Sequence, residues 1–152
     1  MTALQELVEM DLEFKRQKHP GVPPKYVPKT KFEDKTANGL TKCITRCVEL
    51  HGGYATRIQS QGQYNEQLGR WTKGTTRKGT ADIHAVYNGR HLSVEVKIGK
   101  DRMSDAQRRT ARQVEQAGGI YYAASTYEGF WNWFRTLAPT CTTKTTEGDE
   151  QS

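Results

Sequence analysis

The sequence predicts a mixed-sheet α/β domain with the central order α-β-β-β-α-β-α, and three observations predict it. Leu40, Ile44, Cys47 and Val48 recur at helical spacing and stop at Gly52-Gly53. "DIHAVYNGRHLSVEVKI" alternates polar and apolar residues on both sides of an Asn-Gly pair, the strongest short-range signal for a hairpin. "SDAQRRTARQVEQAGG" then reads as a helix capped by Ser104 and closed by Gly118-Gly119, ahead of a further apolar run, "IYYAAS".

The remaining elements follow in order. Residues 2 to about 16 place Leu4, Leu7, Val8 and Leu12 on one stripe, which predicts an amphipathic helix. The prolines of "HPGVPPKYVP" forbid a regular element, so an extended linker is expected there. "YATRIQS" is a strand candidate after the first core helix, and residues 60 to 80 read as a long loop or irregular hairpin. The hairpin strands fall at about 82–87 and 91–98. "YEGFWNWFRTL" is a last helix, in which Trp131, Trp133 and Phe134 are read as packing residues rather than base-stacking ones. The divisions expected are an N-terminal helix and Pro-rich linker (1–36), a core (37–137) and a tail (138–152), Thr-rich then acidic and expected to be disordered.

Composition narrows the function. A chain of 152 residues suits one core, and a mean hydropathy of −0.85 with 34% hydrophobic residues implies that part of it lies outside that core. No apolar run approaches a membrane span, and three cysteines make no disulfide framework, so a reducing cytoplasm is the expected setting. The net charge of +6 favours a polyanionic partner, nucleic acid first. Arg70, Lys73, Arg77 and Lys78 precede the Asn-Gly hairpin, and Lys97, Lys100, Arg102, Arg108, Arg109 and Arg112 lie in or after it. Of these, Arg70, Lys73, Arg77, Lys78, Arg108 and Arg109 are the candidate DNA-phosphate contacts.

The hairpin itself carries the sharpest anomaly. If Asn88-Gly89 forms a two-residue type I′ turn, Tyr87 faces Arg90, His84 faces Ser93 and Asp82 faces Glu95. Asp82, His84, Ser93, Glu95 and Lys97 then share one face, and Ile83, Ala85, Tyr87, Leu92, Val94, Val96 and Ile98 the other. Opposed like charges roughly 5 Å apart are destabilising. A divalent cation between the carboxylates would remove the repulsion, and oxygen ligands suit Mg²⁺. The competing account is a polar strand face with an incidental Asp–Glu pair.

These residues carry a family resemblance. "GTAD" followed by Glu95-Val96-Lys97 on the next strand resembles the PD-(D/E)XK nuclease superfamily. With the helix "SDAQRR" and its Gln107, "GTADIHAV", "EVKIGKDRMSDAQ" and "AGGIYYAAS" are most similar to small nucleases of the VRR-NUC type and to archaeal Holliday-junction resolvases, over residues 37 to about 135. Ala81 stands where the motif has proline. The helix before the first strand carries Asn38 and Thr41, and no acid, near its start; Glu49 lies at its far end.

The resemblance implies a restriction-endonuclease-like mixed central sheet flanked by helices, with an α-β-β-β-α-β core. It implies a Mg²⁺-dependent endodeoxyribonuclease, Mn²⁺ substituting, with branched or junction DNA as the first substrate to test and a role in DNA repair or recombination. Asp82 and Glu95 would bind the metal, joined by the backbone carbonyl of Val96. Lys97 would orient the attacking water or stabilise developing charge. Gln107 would orient Lys97 or contact phosphate, although Ser104-x-x-Gln107 is also a capping box. His84 would contact phosphate or shuttle a proton, or is a plain polar-face histidine. Cys43, Cys47 and His51 share a helix face and are read as buried side chains rather than a zinc site. A homodimer fits cleavage of two symmetric strands. The alternatives are a non-catalytic DNA-binding protein on the same fold and a restriction-like, sequence-specific nuclease.

Overall fold

The computed structural model describes residues 1–59, 63–72, 74 and 77–137. Lys73, Cys141 and the tail expected to be disordered lie outside the described residues. The chain is a mixed α/β protein: a four-stranded mixed sheet flanked by helices, with a separate two-stranded hairpin. The elements are α1 (Ala3–Lys18), α2 (Ala37–Leu50), β1 (Tyr54–Arg57), β2 (Gln63–Asn65), β3 (Arg70–Thr72), β4 (Ile83–Tyr87), β5 (Arg90–Val96), α3 (Asp105–Gln116), β6 (Ile120–Ala124) and α4 (Tyr127–Phe134).

The sheet order is β1-β4-β5-β6, antiparallel up to β5 and parallel between β5 and β6. Asn88 (φ 50°) and Gly89 (φ 75°) both adopt positive φ, as a type I′ turn demands, and the register pairs Tyr87 with Arg90 and His84 with Ser93. That register puts Ile83, Ala85, Leu92 and Val94 on one face. There they join Leu40, Cys43, Ile44, Cys47 and Val48 of α2 and Phe130 and Phe134 of α4 in one core. Alternation therefore sends His84, Ser93 and Glu95 to the opposite face.

α1 belongs to the same core through Leu7. It is tied to α2 by Asp11, which is 2% exposed and paired with Arg46 (2.7 Å) and Lys15 (3.0 Å) while accepting from the Thr30 hydroxyl (2.6 Å). Burial alone would raise the Asp11 carboxyl; these partners outweigh it and hold the group below its ordinary range. The linker expected to lack regular structure contains a single 3₁₀ turn, Pro24–Tyr26. Proline at the start of so short a turn gives up no hydrogen bond.

The α3 prediction holds in detail. Ser104 Oγ accepts from the Gln107 amide (3.2 Å) and the Gln107 side chain accepts from the Ser104 amide (2.9 Å), a reciprocal capping box. Of the two expectations for residues 60 to 80, the hairpin is the one found where the stretch is described, since β2 and β3 pair antiparallel. No helix among the described residues is long and apolar enough to cross a membrane.

Candidate metal and phosphodiester site

The polar sheet face converges at one end of the β4–β5 hairpin. Asp82 immediately precedes β4, and its Oδ2 accepts from the Val96 amide of β5 at 2.8 Å. The paired register ends at Ile83 and Val94, and beyond it the Asp82 carboxylate, rather than a backbone carbonyl, takes up the β5 amide. On the other side, the Ile58 amide donates to the Asp82 carbonyl at 2.7 Å, so β1 also holds this point. The preceding turn leans on α3. Gly79 has φ 86° and lies so close to the helix that a Cβ there would come within 2.6 Å of Thr110 Oγ1.

Glu95 is the most constrained member. It is 4% exposed, and its Oε1 accepts from Gln107 Nε2 at 2.7 Å. Lys97 Nζ stands 3.5 Å from the same oxygen, and Tyr121 Oη lies 3.5 Å from Oε2. Burial first, and then the Asp82 charge, push the Glu95 carboxyl up to about 7, against the pull of Lys97. Burial and the neighbouring Glu95 likewise raise the Tyr121 phenol, so it stays protonated as a donor. Lys97 is also shared with Asp101 at 3.8 Å, so Glu95 does not hold its full charge. Two carboxylates and one divided ammonium leave this pocket short of positive charge.

The structure brings together Asp82, Glu95, Val96, Lys97 and Gln107. Val96 takes part through its amide while its side chain sits in the core. Gln107 reaches Glu95 rather than Lys97, and it does so while completing the capping box. His84 lies further along the same face, half-buried, with its ring 5.1 Å from that of His91; burial and His91 depress its basicity. His91 Nε2 in turn lies 2.8 Å from Ser93 Oγ.

The basic candidates are distributed around this centre. Arg77 donates to Gln113 of α3 at 3.0 Å, and Lys78 is exposed on the turn leading to Asp82. Arg108 and Arg109 are exposed on α3, Arg108 at 3.6 Å from Asp105. Arg70 lies on the separate hairpin.

Tyr121 and Asp101 are site neighbours that sequence reasoning missed. "IYYAAS" offers two tyrosines, and only the parallel register, in which Ser93 pairs with Tyr121, selects the one that shares the Glu95 face. Asp101 is reached from Lys97 across a turn closed by the Asp101 amide on the Ile98 carbonyl. Cys43 and Cys47 are fully buried, and burial pushes the Cys43 thiol up to about 12 and that of Cys47 to about 11. His51 Nδ1 contacts the Cys47 carbonyl at 2.7 Å, a local helix-end bond.

α2 carries no acid in its own first turn, and the Glu33 carboxylate just ahead of the helix accepts from the Lys35 amide (2.8 Å) and the Thr36 hydroxyl (2.5 Å). Glu49 pairs with Arg46 at 3.3 Å, at the end of α2 that adjoins Gly53 and Val86, whereas Asp82 is at the opposite end of β4. Among the described residues no group of three or more His, Cys, Asp or Glu side chains is arranged to hold a metal ion. The pair Asp82–Glu95 nevertheless suits a hard divalent cation in its chemistry. Both donors are carboxylate oxygens, and their mutual repulsion in a buried setting is what such an ion relieves. No protein-family model matches the chain, and no curated protein matches it in sequence.

Proposed function

We propose that this chain is a metal-dependent DNA endonuclease of the PD-(D/E)XK type, hydrolysing phosphodiester bonds with Mg²⁺ or Mn²⁺. The observation that carries the reading is the buried, under-compensated carboxylate pair Asp82–Glu95 with Lys97 at 3.5 Å, held by Gln107 at the N-terminus of a helix. Structural ion pairs match opposite charges; this arrangement holds two carboxylates together, whose repulsion a bound proton relieves at low pH and a divalent cation would relieve at neutral pH.

Asp82 and Glu95 would hold the cation, which when bound supplies Lewis acidity toward a phosphodiester and a more acidic water. The Val96 amide fixes one Asp82 oxygen, and Gln107 fixes one Glu95 oxygen, so both carboxylates are oriented before any ligand arrives. Lys97, with its charge partly free of Glu95, stabilises negative charge that develops on the phosphate oxygens. Attack of water on phosphorus with loss of the 3′ oxygen leaves 5′-phosphate and 3′-hydroxyl ends. Arg77, Lys78, Arg108 and Arg109 border this centre in sequence and on α3, which suits a polyanionic backbone.

A second reading is a non-catalytic DNA-binding protein on the same fold. The observation that favours it is the start of α2, where the helix carries Asn38 and Thr41 and no acid of its own, while Glu33 ahead of it is engaged by Thr36. Cleavage of single-stranded, duplex and four-way-junction DNA, in Mg²⁺, Mn²⁺ or EDTA, separates the two. Metal-dependent cleavage lost in Asp82→Asn supports the nuclease. Binding without cleavage under every condition overturns it in favour of the second reading. Sedimentation with and without junction DNA tests for the homodimer that paired incisions require.

A further inference from the structure

Trp71 is the most exposed aromatic among the described residues, at 72%, and it belongs to neither the core nor the carboxylate site. It stands on the β2–β3 arm. We propose that this arm is a stacking platform for unpaired bases of a single-stranded DNA segment, with Trp71 as the ring on which a base lies. The proposal rests on the reading of DNA as the partner.

The arm is a built element. Tyr64 pairs with Trp71 across β2 and β3, and their rings meet edge-to-face with centroids 5.9 Å apart. Asn65 Oδ1 accepts from the Gln67 and Leu68 amides at 3.0 and 3.1 Å, and Gly69 takes φ 59°, which together close the turn. Tyr64 thus holds Trp71 by its edge while both rings remain open to solvent, Tyr64 at 54%. Leu68 at the tip is 57% exposed. The cross-strand pair steadies the hairpin but leaves most of the Trp71 surface in water, and exposed apolar patches of this kind mark binding sites.

Charge selects the occupant. Between residues 57 and 80 the sequence has Glu66 as its one acid, against Arg57, Arg70, Lys73, Arg77 and Lys78. Arg57, Arg70, Arg77 and Lys78 are exposed. Aromatic rings interleaved with cations are what single-stranded nucleic acid requires: the rings take the bases, and the cations track the phosphates.

The arm also enters and leaves the main sheet at the candidate site. Its outgoing strand passes through Ile58, bonded to the Asp82 carbonyl at 2.7 Å. Its return passes through Arg77, bonded to Gln113, and Gly79, pressed against α3, before reaching Asp82. An unwound or branched substrate supplies unpaired bases; an intact duplex does not.

The test uses the full chain in EDTA, so that binding is read without cleavage. Anisotropy would be measured on labelled dT12, on an abasic strand of equal phosphate number, and on a duplex. Stacking of one base contributes about 5- to 150-fold in affinity. Trp71→Ala should lose about tenfold or more on dT12 and less than about twofold on the abasic strand and the duplex, with an unchanged melting temperature. Trp71→Phe should recover most of the loss.

Equal losses on dT12 and the abasic strand, no loss at all, or no binding by the parent would overturn the proposal. So would a fall in sedimenting mass in Trp71→Ala with dT12 binding intact, which would make the arm a contact between copies of this chain. A parent that stacks dT12 yet never cleaves in Mg²⁺ sinks the nuclease reading alone. A parent that cleaves while Trp71→Ala binds dT12 normally sinks the arm alone.

Discussion

Replacing Glu95 by glutamine tests the electrostatics of the site without any substrate. The Glu95 carboxyl is raised from 4.5 to about 7 by burial and by Asp82. Between those values the folded chain binds more protons at this group than the unfolded chain. Its contribution is therefore fully present below about pH 4.5 and is lost as pH rises through about 7. A rise of that size corresponds to about 3 kcal/mol between the two plateaus, at about 1.4 kcal/mol per unit. Glutamine keeps an oxygen for Gln107 Nε2 and turns an amide toward Asp82, while removing the charge. Denaturant unfolding in EDTA, from about pH 4.5 to pH 8, should show parent stability falling across that range from this group. The fall should be largely absent in Glu95→Gln. Near pH 8 the variant should be the more stable by about 2 to 3 kcal/mol, and near pH 4.5 the two should agree within about 0.5 kcal/mol. Added Mg²⁺ should stabilise the parent near pH 8 and leave the variant unmoved. A variant less stable than the parent near pH 8 would refute the reasoning. Glu95 would then be ionised and satisfied by Lys97 and Gln107, with no deficit for a cation to fill.

Three further perturbations follow. Asp82→Asn keeps an oxygen for the Val96 amide, so the fold should hold; cleavage in Mg²⁺ should fall by orders of magnitude while DNA binding in EDTA persists or tightens, and parent-like cleavage would exclude Asp82 from the metal site. Gly79→Ala places a Cβ against Ala106 and Thr110 at φ 86° and should lower unfolding free energy by more than about 1 kcal/mol; an unchanged denaturation midpoint would mean that this turn does not fix Asp82. Arg77→Ala with Lys78→Ala should flatten the slope of log affinity against log salt on duplex DNA by about 0.9 for each phosphate no longer neutralised, and an unaltered slope removes this turn from the DNA-binding surface.

The hairpin was legible because its code is local. Asn-Gly sets the turn, the turn sets the register, and period-two alternation then assigns every face, so the register from Tyr87–Arg90 to Ile83–Val94 and the nearness of the Asp82 and Glu95 carboxyls could be read from the residues alone, although the pairing itself stops one residue short of them. The capping box of α3 was legible for the same reason, since Ser104 and Gln107 are three residues apart. Tyr121 was not, because β6 joins β5 in parallel after a helix, and nothing in the sequence states the offset of a parallel pair. Trp71 escaped for a different reason. Its three-residue strand lies in a Gly- and Thr-rich stretch with little periodicity, and exposure of an aromatic ring depends on what fails to pack against it. The apolar periodicity of α1 was visible, and Asp11 falls on that same face, four residues after Leu7; what the helix pattern does not state is that Arg46 and Thr30 from elsewhere in the chain would satisfy its buried carboxylate.

Gln107 shows why a structural and a functional role need not compete. The sequence offers two accounts of it, a capping-box partner or a site residue, and either one would suffice to explain a glutamine there. An amide side chain has an acceptor and two donors. Its oxygen accepts from the Ser104 amide, which closes the first turn of α3, and its nitrogen donates to Glu95 at 2.7 Å. The cap fixes where the nitrogen can point, so Glu95 is oriented by helix geometry rather than by a free rotamer. Glutamate at this position would serve the cap equally well but would bring a third negative charge against Asp82 and Glu95. The capping requirement admits either residue; the electrostatics of the pocket admit only the neutral one.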